Sequence, residues 1–479
     1  MRKRILATLL CLCMVLCMIP LTASAAEAEP ETPKVYVALG DSIPAGVGLA
    51  ETETAFPKLL ADSNSFALEN LAASGETSTT LLAKLADPET VAKLAAADVI
   101  TLTVGGNDLM DALYTYLANQ YNADKEEEAQ LTKEEIQAKL QAGDPELLAF
   151  AVTVAADFAE STEATAALLG YTENLAKIVG VIQIANSDVT LLVTNQYNPY
   201  TYLAEQAANL PVADSLKAVA STFEEGVAGL NWVISYAAAQ MKYTVVDVYS
   251  AFAAAEKNPC NASIDATAKV NLDFHPNAYG HSLIAQVLDE IINPLPFTDV
   301  PQDQWYYEAV RYAYFNDLMA GVGNGLFDPN AVLDRATVVQ LLYNLEGQPE
   351  VEEITDKFVD VDKDIWYAKA VTWAAENDVV AGYGDGIFQP EIPVTREAFA
   401  QMLYNYAKYK KYDLEGAADL SKYSDGDTVS NWAETAMAWA NGNQLINGNT
   451  DGTLAPQAGA QRAHAASILS AFCENIVAK

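Results

Sequence analysis

The chain has 479 residues, with 27 Lys and Arg against 64 Asp and Glu, a formal net charge of −37. So acidic a balance excludes a nucleic-acid partner, whose phosphates call for clustered cations. The length leaves room for about three domain-sized units.

Met1-Arg-Lys-Arg4 is basic, Ile5 to Leu21 is apolar and Ala23-Ser24-Ala25 is small. That order predicts a secretory signal peptide over residues 1–25. Its removal takes three basic and no acidic residues, leaving 24 basic against 64 acidic, or −40. Three of the five cysteines, Cys11, Cys13 and Cys17, leave with it, none in a lipoprotein cleavage context. Cys260 and Cys473 remain, far apart in sequence, so no disulfide framework is expected despite an extracellular destination. No later uncharged apolar run is long enough to span a bilayer, so a soluble exported protein without a transmembrane segment is expected.

From residue 34 to 293 short apolar runs alternate with helical stretches. The strands are expected at Val35–Leu39, Phe66–Leu68, Val99–Val104, Val189–Thr194 and Thr244–Val248. Helices are expected at Phe56–Ala61, Leu81–Leu94, Phe223–Met241 and Ala278–Ile292. Alternation of this kind implies right-handed crossovers and a parallel, doubly wound α/β sheet. The long interval 109–187 reads first as a solvated, acidic helical insertion, with a cap over the site as the sharper alternative.

Residues with chemical potential gather where the strands end. Gly40-Asp-Ser42 follows the first strand, Asn70 to Gly75 the second, Gly105-Gly-Asn-Asp108 the third, and Asp273-Phe-His-Pro276 the fifth by a loop. In the flavodoxin-like order 2-1-3-4-5, Gly75 and Asn107 flank Ser42. A serine needs a base to take its proton and donors aimed at the oxyanion it creates. His275 can be that base and Asp273 its orienting acid. The backbone N–H groups of Ser42 and Gly75 and the Asn107 amide can be the donors. Of the other two histidines, His464 lies in the last repeat and His281 one turn into the closing helix, where a surface or packing role is expected. Asp108 reads as a local cap for the helix that follows it.

These blocks, in this order, resemble the four signature blocks of the SGNH, or GDSL, hydrolase family over residues 34–293. The resemblance implies a three-layer α/β/α esterase or lipase fold that needs no metal or organic cofactor. It implies Ser42 as nucleophile, Gly75 and Asn107 in the oxyanion hole, and His275 as base. The family places its acid three residues before the histidine, where this chain has Leu272. Asp273 stands two before, so a weakened coupling to His275, or a backbone carbonyl holding the ring, is expected.

After Pro294-Leu-Pro296 the chain repeats itself three times. Trp305, Trp366 and Trp432 open the copies. Gly321, Gly382 and Gly448 follow, then Gly325, Gly386 and Gly452, Pro329, Pro390 and Pro456, and Arg335, Arg396 and Arg462, at fixed offsets. Each copy reads as helix, glycine-rich turn and second helix opened by the arginine. Asp334 and Thr395 make good N-caps for the second helix, and Gln461 a poorer one. Arginine at a helix N-terminus makes an anion site, with a salt bridge to a carboxylate as the alternative. Most of the tryptophan surface is expected in the repeat core. Asp360-Val-Asp-Lys-Asp364 is similar to the start of a calcium loop, but Ile365 stands where glycine is needed, so it reads as an opening turn.

The copies, at 297–347, 357–408 and 422–475, resemble S-layer homology domains, an all-helical repeat region. The resemblance implies attachment to an anionic, commonly pyruvylated, secondary polymer of a bacterial cell wall, through Trp305, Arg335, Trp366, Arg396, Trp432 and Arg462. Thr337 and His464 depart from the family's Thr-Arg-Ala-Glu pattern, so the second repeat, with Thr395 and Glu397, is expected to bind best. The whole reads as a secreted, wall-anchored serine esterase. The alternatives are a non-catalytic surface or carbohydrate-binding protein and an acyltransferase acting on a wall glycan.

Overall fold

The computed structural model describes residues 32–141, 144–210, 213–265 and 270–477; the expected signal peptide lies outside them. The chain divides into two compact units, residues 1–294 and 295–479. No helix among the described residues is long and apolar enough to cross a membrane.

The first unit is a five-stranded parallel sheet. Its strands are β1 (Val35–Gly40), β2 (Ala67–Asn70), β3 (Val99–Thr103), β4 (Thr190–Thr194) and β5 (Thr244–Val246), in the expected order 2-1-3-4-5. The order of the apolar runs explains the layers. Tyr36 and Ala38 of β1 face one core, with Phe56, Leu60, Ile284 and Leu288. Val37 and Leu39 face the other, with Leu81, Leu94, Leu175 and Ile178. Successive strand residues point to opposite faces, so a continuous apolar run requires helices on both sides.

The helices that supply them are α1 (Phe56–Asn64), α2 (Ser78–Lys84), α3 (Pro88–Ala96), α4 (Gly106–Asn122), α5 (Lys133–Gln141), α6 (Pro145–Val154), α7 (Thr162–Ala185), α8 (Thr201–Gln206), α9 (Ala213–Ala238), α10 (Val248–Ala253) and α11 (Ala278–Ile292). The single helix expected at Leu81–Leu94 is two, because Asp87 caps a new start with Pro88 at its first position. β2 begins one residue later than expected and runs on to Asn70 as a largely exposed edge strand. β5 stops at Val246 because the Asp247 side chain accepts from Ser250 N and caps α10.

The insertion between β3 and β4 is not merely solvated. Leu113, Tyr116, Leu117, Ile136, Leu147 and Phe158 bury themselves in a core of their own. Its acidic opening does match the solvated reading, with Glu126–Glu128 and Glu134–Glu135 exposed.

The second unit is helical: α12 (Tyr307–Phe315) and α13 (Arg335–Leu345), α14 (Ala368–Glu376) and α15 (Arg396–Lys410), α16 (Glu434–Gly442) and α17 (Arg462–Phe472). The three repeats close on one another. Leu333 N donates to Ala460 O, Ala460 N to Val394 O, and Val394 N to Leu333 O, a three-way cycle of backbone bonds. Around it the repeat signature finds its reasons. Arg335 donates from Nε and Nη2 to Phe388 O and Ala381 O, Arg396 to Leu454 O and Asn447 O, and Arg462 to Phe327 O and Ala320 O. Pro390, Pro456 and Pro329 carbonyls accept from Ala336, Glu397 and Ala463 N–H. A side chain at Gly321, Gly382 or Gly448 would strike Phe297, Phe358 or Tyr423. Asp360 accepts from Phe388 N and Gln389 N, as Asp299 and Asp425 do from the matching amides. The opening-turn reading of Asp360 therefore holds, with a purpose the sequence did not reveal.

Candidate functional site

Ser42 sits in the turn directly after β1, with its carbonyl accepting Val47 N at 3.0 Å. Neighbouring strand ends tie that turn down. Asp41 N donates to Thr103 O (3.1 Å), Ala73 N to Gly40 O (2.9 Å), and the Asn70 amide to Pro44 O (2.8 Å). Asp41, given no role from the sequence, is buried and accepts from Ile43 N at 3.0 Å. Burial pushes its carboxyl up to about 7, against the opposing pull of the Ile43 bond and the field of His275.

Gly75 has φ +78°, and a Cβ there would meet nothing within 4 Å, so its backbone faces open space. The Asn107 amide donates to the next carbonyl, Glu76 O, at 3.0 Å. The two proposed oxyanion donors, from the loop after β2 and the first turn of α4 after β3, are thus neighbours. Asp108 does not cap its own helix. Its carboxylate accepts Ser78 N (2.9 Å) and Ser78 Oγ (2.5 Å), closing the start of α2 instead. That cross-element partner is invisible in a local reading.

His275 Nδ1 lies 2.6 Å from Asp273 Oδ1, and His275 N donates to the same oxygen at 3.1 Å. The two-residue spacing works because the segment turns, the Asp273 carboxylate taking the backbone N–H two residues on. No carbonyl replaces the acid, so the expectation of a weak approach is corrected. The His275 bond, first among several, holds the Asp273 carboxyl below its ordinary value. With Nδ1–H donated to the carboxylate, Nε2 keeps its lone pair.

Asn261 went unnoticed in the sequence. It donates from Nδ2 to Gly48 O (3.0 Å) and from its backbone to His275 O (2.9 Å), and its side chain also bonds Asp273. A Cβ on Gly48 would lie 2.8 Å from that of His275, so the serine turn and the histidine loop are packed together. Tyr197 and Tyr200 hydroxyls hold the loop from behind, on Phe274 O (3.1 Å) and Leu272 O (2.8 Å). His281 has the packing role rather than the surface one. It is buried, its Nδ1 accepts Phe56 N at 3.2 Å, and burial pushes its pKa down to about 4.

A cavity of about 590 Å³ borders the histidine loop, walled by Val270–His275, α9 and the insertion. The cap alternative for the insertion is the one the geometry supports.

In the repeats, Trp305, Trp366 and Trp432 are 62%, 61% and 58% exposed, which overturns their expected place in the core. Trp373 and Trp439 fill the core instead. The guanidinium groups of Arg335, Arg396 and Arg462 are buried, and burial lowers their pKa values. Their Nε and Nη2 donors serve main-chain carbonyls, neither of the two roles weighed from the sequence. Asp334 and Thr395 cap as expected, and Gln461 makes no capping bond. Glu397 is turned inward onto Ser430 N and Oγ (2.9 and 2.8 Å), so it braces the turn before Trp432. His464 packs against Trp305, with ring centroids 5.1 Å apart.

The sheet order and its strand-end loops define a three-layer α/β domain of the SGNH type. The chain belongs to the GDSL-like lipase/acylhydrolase family, whose model matches residues 38–283, and S-layer homology domains match at 296–339, 357–400 and 422–466. Among solved structures, phospholipase A1 from Streptomyces albidoflavus NA297 is similar at 24% identity, covering 54% of this chain and 99% of that one, with a TM-score of 0.37. Among curated proteins, the surface-layer 125 kDa protein of Lysinibacillus sphaericus is 29% identical over 202 residues, 41% of this chain and 16% of its own. An endoglucanase of Bacillus sp. (strain KSM-635) is 27% identical over 178 residues, 37% and 19% respectively. The chain spans a fifth or less of the length of these two relatives.

Proposed function

We propose that the chain is a cell-surface serine ester hydrolase, held to an anionic wall polymer by its repeats. The observation that carries the first half is the 2.6 Å approach of Asp273 to His275 Nδ1, which leaves Nε2 free to act as base. Ser42 Oγ attacks the ester carbonyl as Nε2 takes its proton. The Asp273 carboxylate steadies the imidazolium, and the N–H groups of Ser42 and Gly75 with the Asn107 amide bear the oxyanion. Nε2 then protonates the leaving alcohol, and water, activated by the same nitrogen, releases the acid. No step calls on a metal or organic cofactor.

The second half rests on the tryptophans. The recurring arginines, prolines and first glycines have structural duties within the repeats, while the rings of Trp305, Trp366 and Trp432 stay more than half exposed. Exposed tryptophans beside arginine-opened helices suit a sugar ring bearing an anion, and a pyruvylated wall polymer is the ligand the family resemblance implies. The S-layer relatives support a surface location.

The test is a panel of aryl esters and acetylated glycans assayed with wild type and folded Ser42→Ala. Loss of turnover in the variant supports the reading, and full activity in it contradicts the mechanism. Sedimentation of chains truncated after Asn293 with purified bacterial walls tests the anchor.

A further inference from the structure

The cavity beside His275 tells what kind of ester fits. Its walls include Met110, Leu113 and Leu117 of α4, Leu148 and Val152 of α6, and Phe223 of α9. The ionisable acid and base that line it are Asp273 and His275. Of its two tyrosines, Tyr200 already donates to Leu272 O, and burial raises the pKa of Tyr114. Thr222 and Asn271 also line it, but they already donate to Ala218 O and Asn261 O, so a sugar or a charged group placed here would lose water for few new partners. Acetyl or another small acyl group would leave most of about 590 Å³ unfilled.

The walls are also built to persist. Leu113 and Leu117 belong to the insertion's buried core, with Leu147 of α6 and Phe158. Phe223 is braced edge-to-face by Tyr200, with ring centroids 4.7 Å apart. A pocket of this size, mostly apolar and ending on a histidine–carboxylate pair, has the form of a small-molecule site with its reactive group at the rim.

We propose that the insertion and α9 form a binding pocket for an unbranched hydrocarbon chain, borne by the ester that Ser42 cleaves. The reaction rests on the hydrolase reading above; the binding does not. The chain can belong to the acyl half, as in a fatty-acid ester, or to the alcohol half, as in a long-chain alkyl acetate. Both have the same chemistry, and two substrate series separate them.

The full-length protein is assayed with p-nitrophenyl esters from acetate to dodecanoate and with alkyl acetates of rising length. Each buried methylene is worth about a threefold to fourfold gain in kcat/KM. The pocket predicts that gain over several carbons in one series, identifying the half it holds. Ala151→Trp, which puts an indole into the cavity, should flatten the rise, and Ala151→Met should shorten it if the larger change impairs folding. Decanoate binding to Ser42→Ala protein, read by displacement of a hydrophobic fluorophore, gives a measure independent of turnover. Decanoate bound by that protein and lost on adding Ala151→Trp supports the pocket even if no ester is hydrolysed. Flat series together with no decanoate binding overturn it, even where Ser42-dependent hydrolysis of short esters persists.

Discussion

Asp273 Oδ1 holds His275 twice, by the ring Nδ1 at 2.6 Å and by the backbone N–H at 3.1 Å. One oxygen therefore fixes both the ring and the turn that presents it. Asp273→Asn should lower turnover by about two to four orders of magnitude, because an amide cannot stabilise the imidazolium. The check is kcat at neutral pH in protein whose circular dichroism is unchanged. A silent substitution would leave a Ser–His dyad.

Asn107→Ala should lower kcat by about 10²–10³, the usual loss for one oxyanion donor. Its bond to Glu76 O also positions the loop beside Gly75, so the melting temperature is read alongside. An unchanged kcat would mean that the loop after β3 does not reach the oxyanion.

His281 makes a prediction about acid. Its folded pKa, about 4, lies below the ordinary 6.5, so the unfolded chain binds its proton first as pH falls. Stability from the neutral ring is complete above pH 6.5 and declines toward pH 4, by at most about 3 kcal/mol. Asp41, raised to about 7, acts with the opposite sign, so the wild-type curve alone does not isolate either group. His281→Asn, which can still accept Phe56 N, should lose less stability between pH 6.5 and 4 than wild type. Parallel denaturation curves would show that His281 is not the group responsible.

In the repeats, anchoring and folding should separate by residue. Arg396→Ala strands the buried Leu454 O, at about 1–3 kcal/mol for a buried carbonyl left unsatisfied, and also frees the partly buried Asn447 O. It should lower the melting temperature of the repeat unit. Trp432→Ala removes an exposed ring and should weaken wall binding with the melting temperature unchanged. The opposite pattern would move the ligand from the tryptophans to the arginines.

What the sequence made legible was whatever depends on local pattern. Apolar runs located the strands, the signature blocks fell at the strand ends, and fixed offsets revealed the repeats. What it hid were partners far away in the chain. Asp108 finds Ser78 across 30 residues, Asn261 reaches Gly48 across 213, and Arg462 finds Ala320 across 142. The exposure of Trp305 could not be read because composition treats every tryptophan as core material, and the neighbouring Tyr306 and Tyr307 take that place. The spacing of Asp273 misled because spacing alone does not show the turn that brings its carboxylate onto both the ring and the backbone N–H of His275.

The central claim is that Ser42 becomes acylated with His275 as its base. A fluorophosphonate, which reacts with activated serines, followed by mass analysis of peptides from the full-length protein, tests it most directly. The account predicts one adduct, on the peptide carrying Ser42, strongly slowed in folded His275→Ala and lost in Ser42→Ala. An adduct on another serine, or ester turnover that survives in Ser42→Ala, would contradict it.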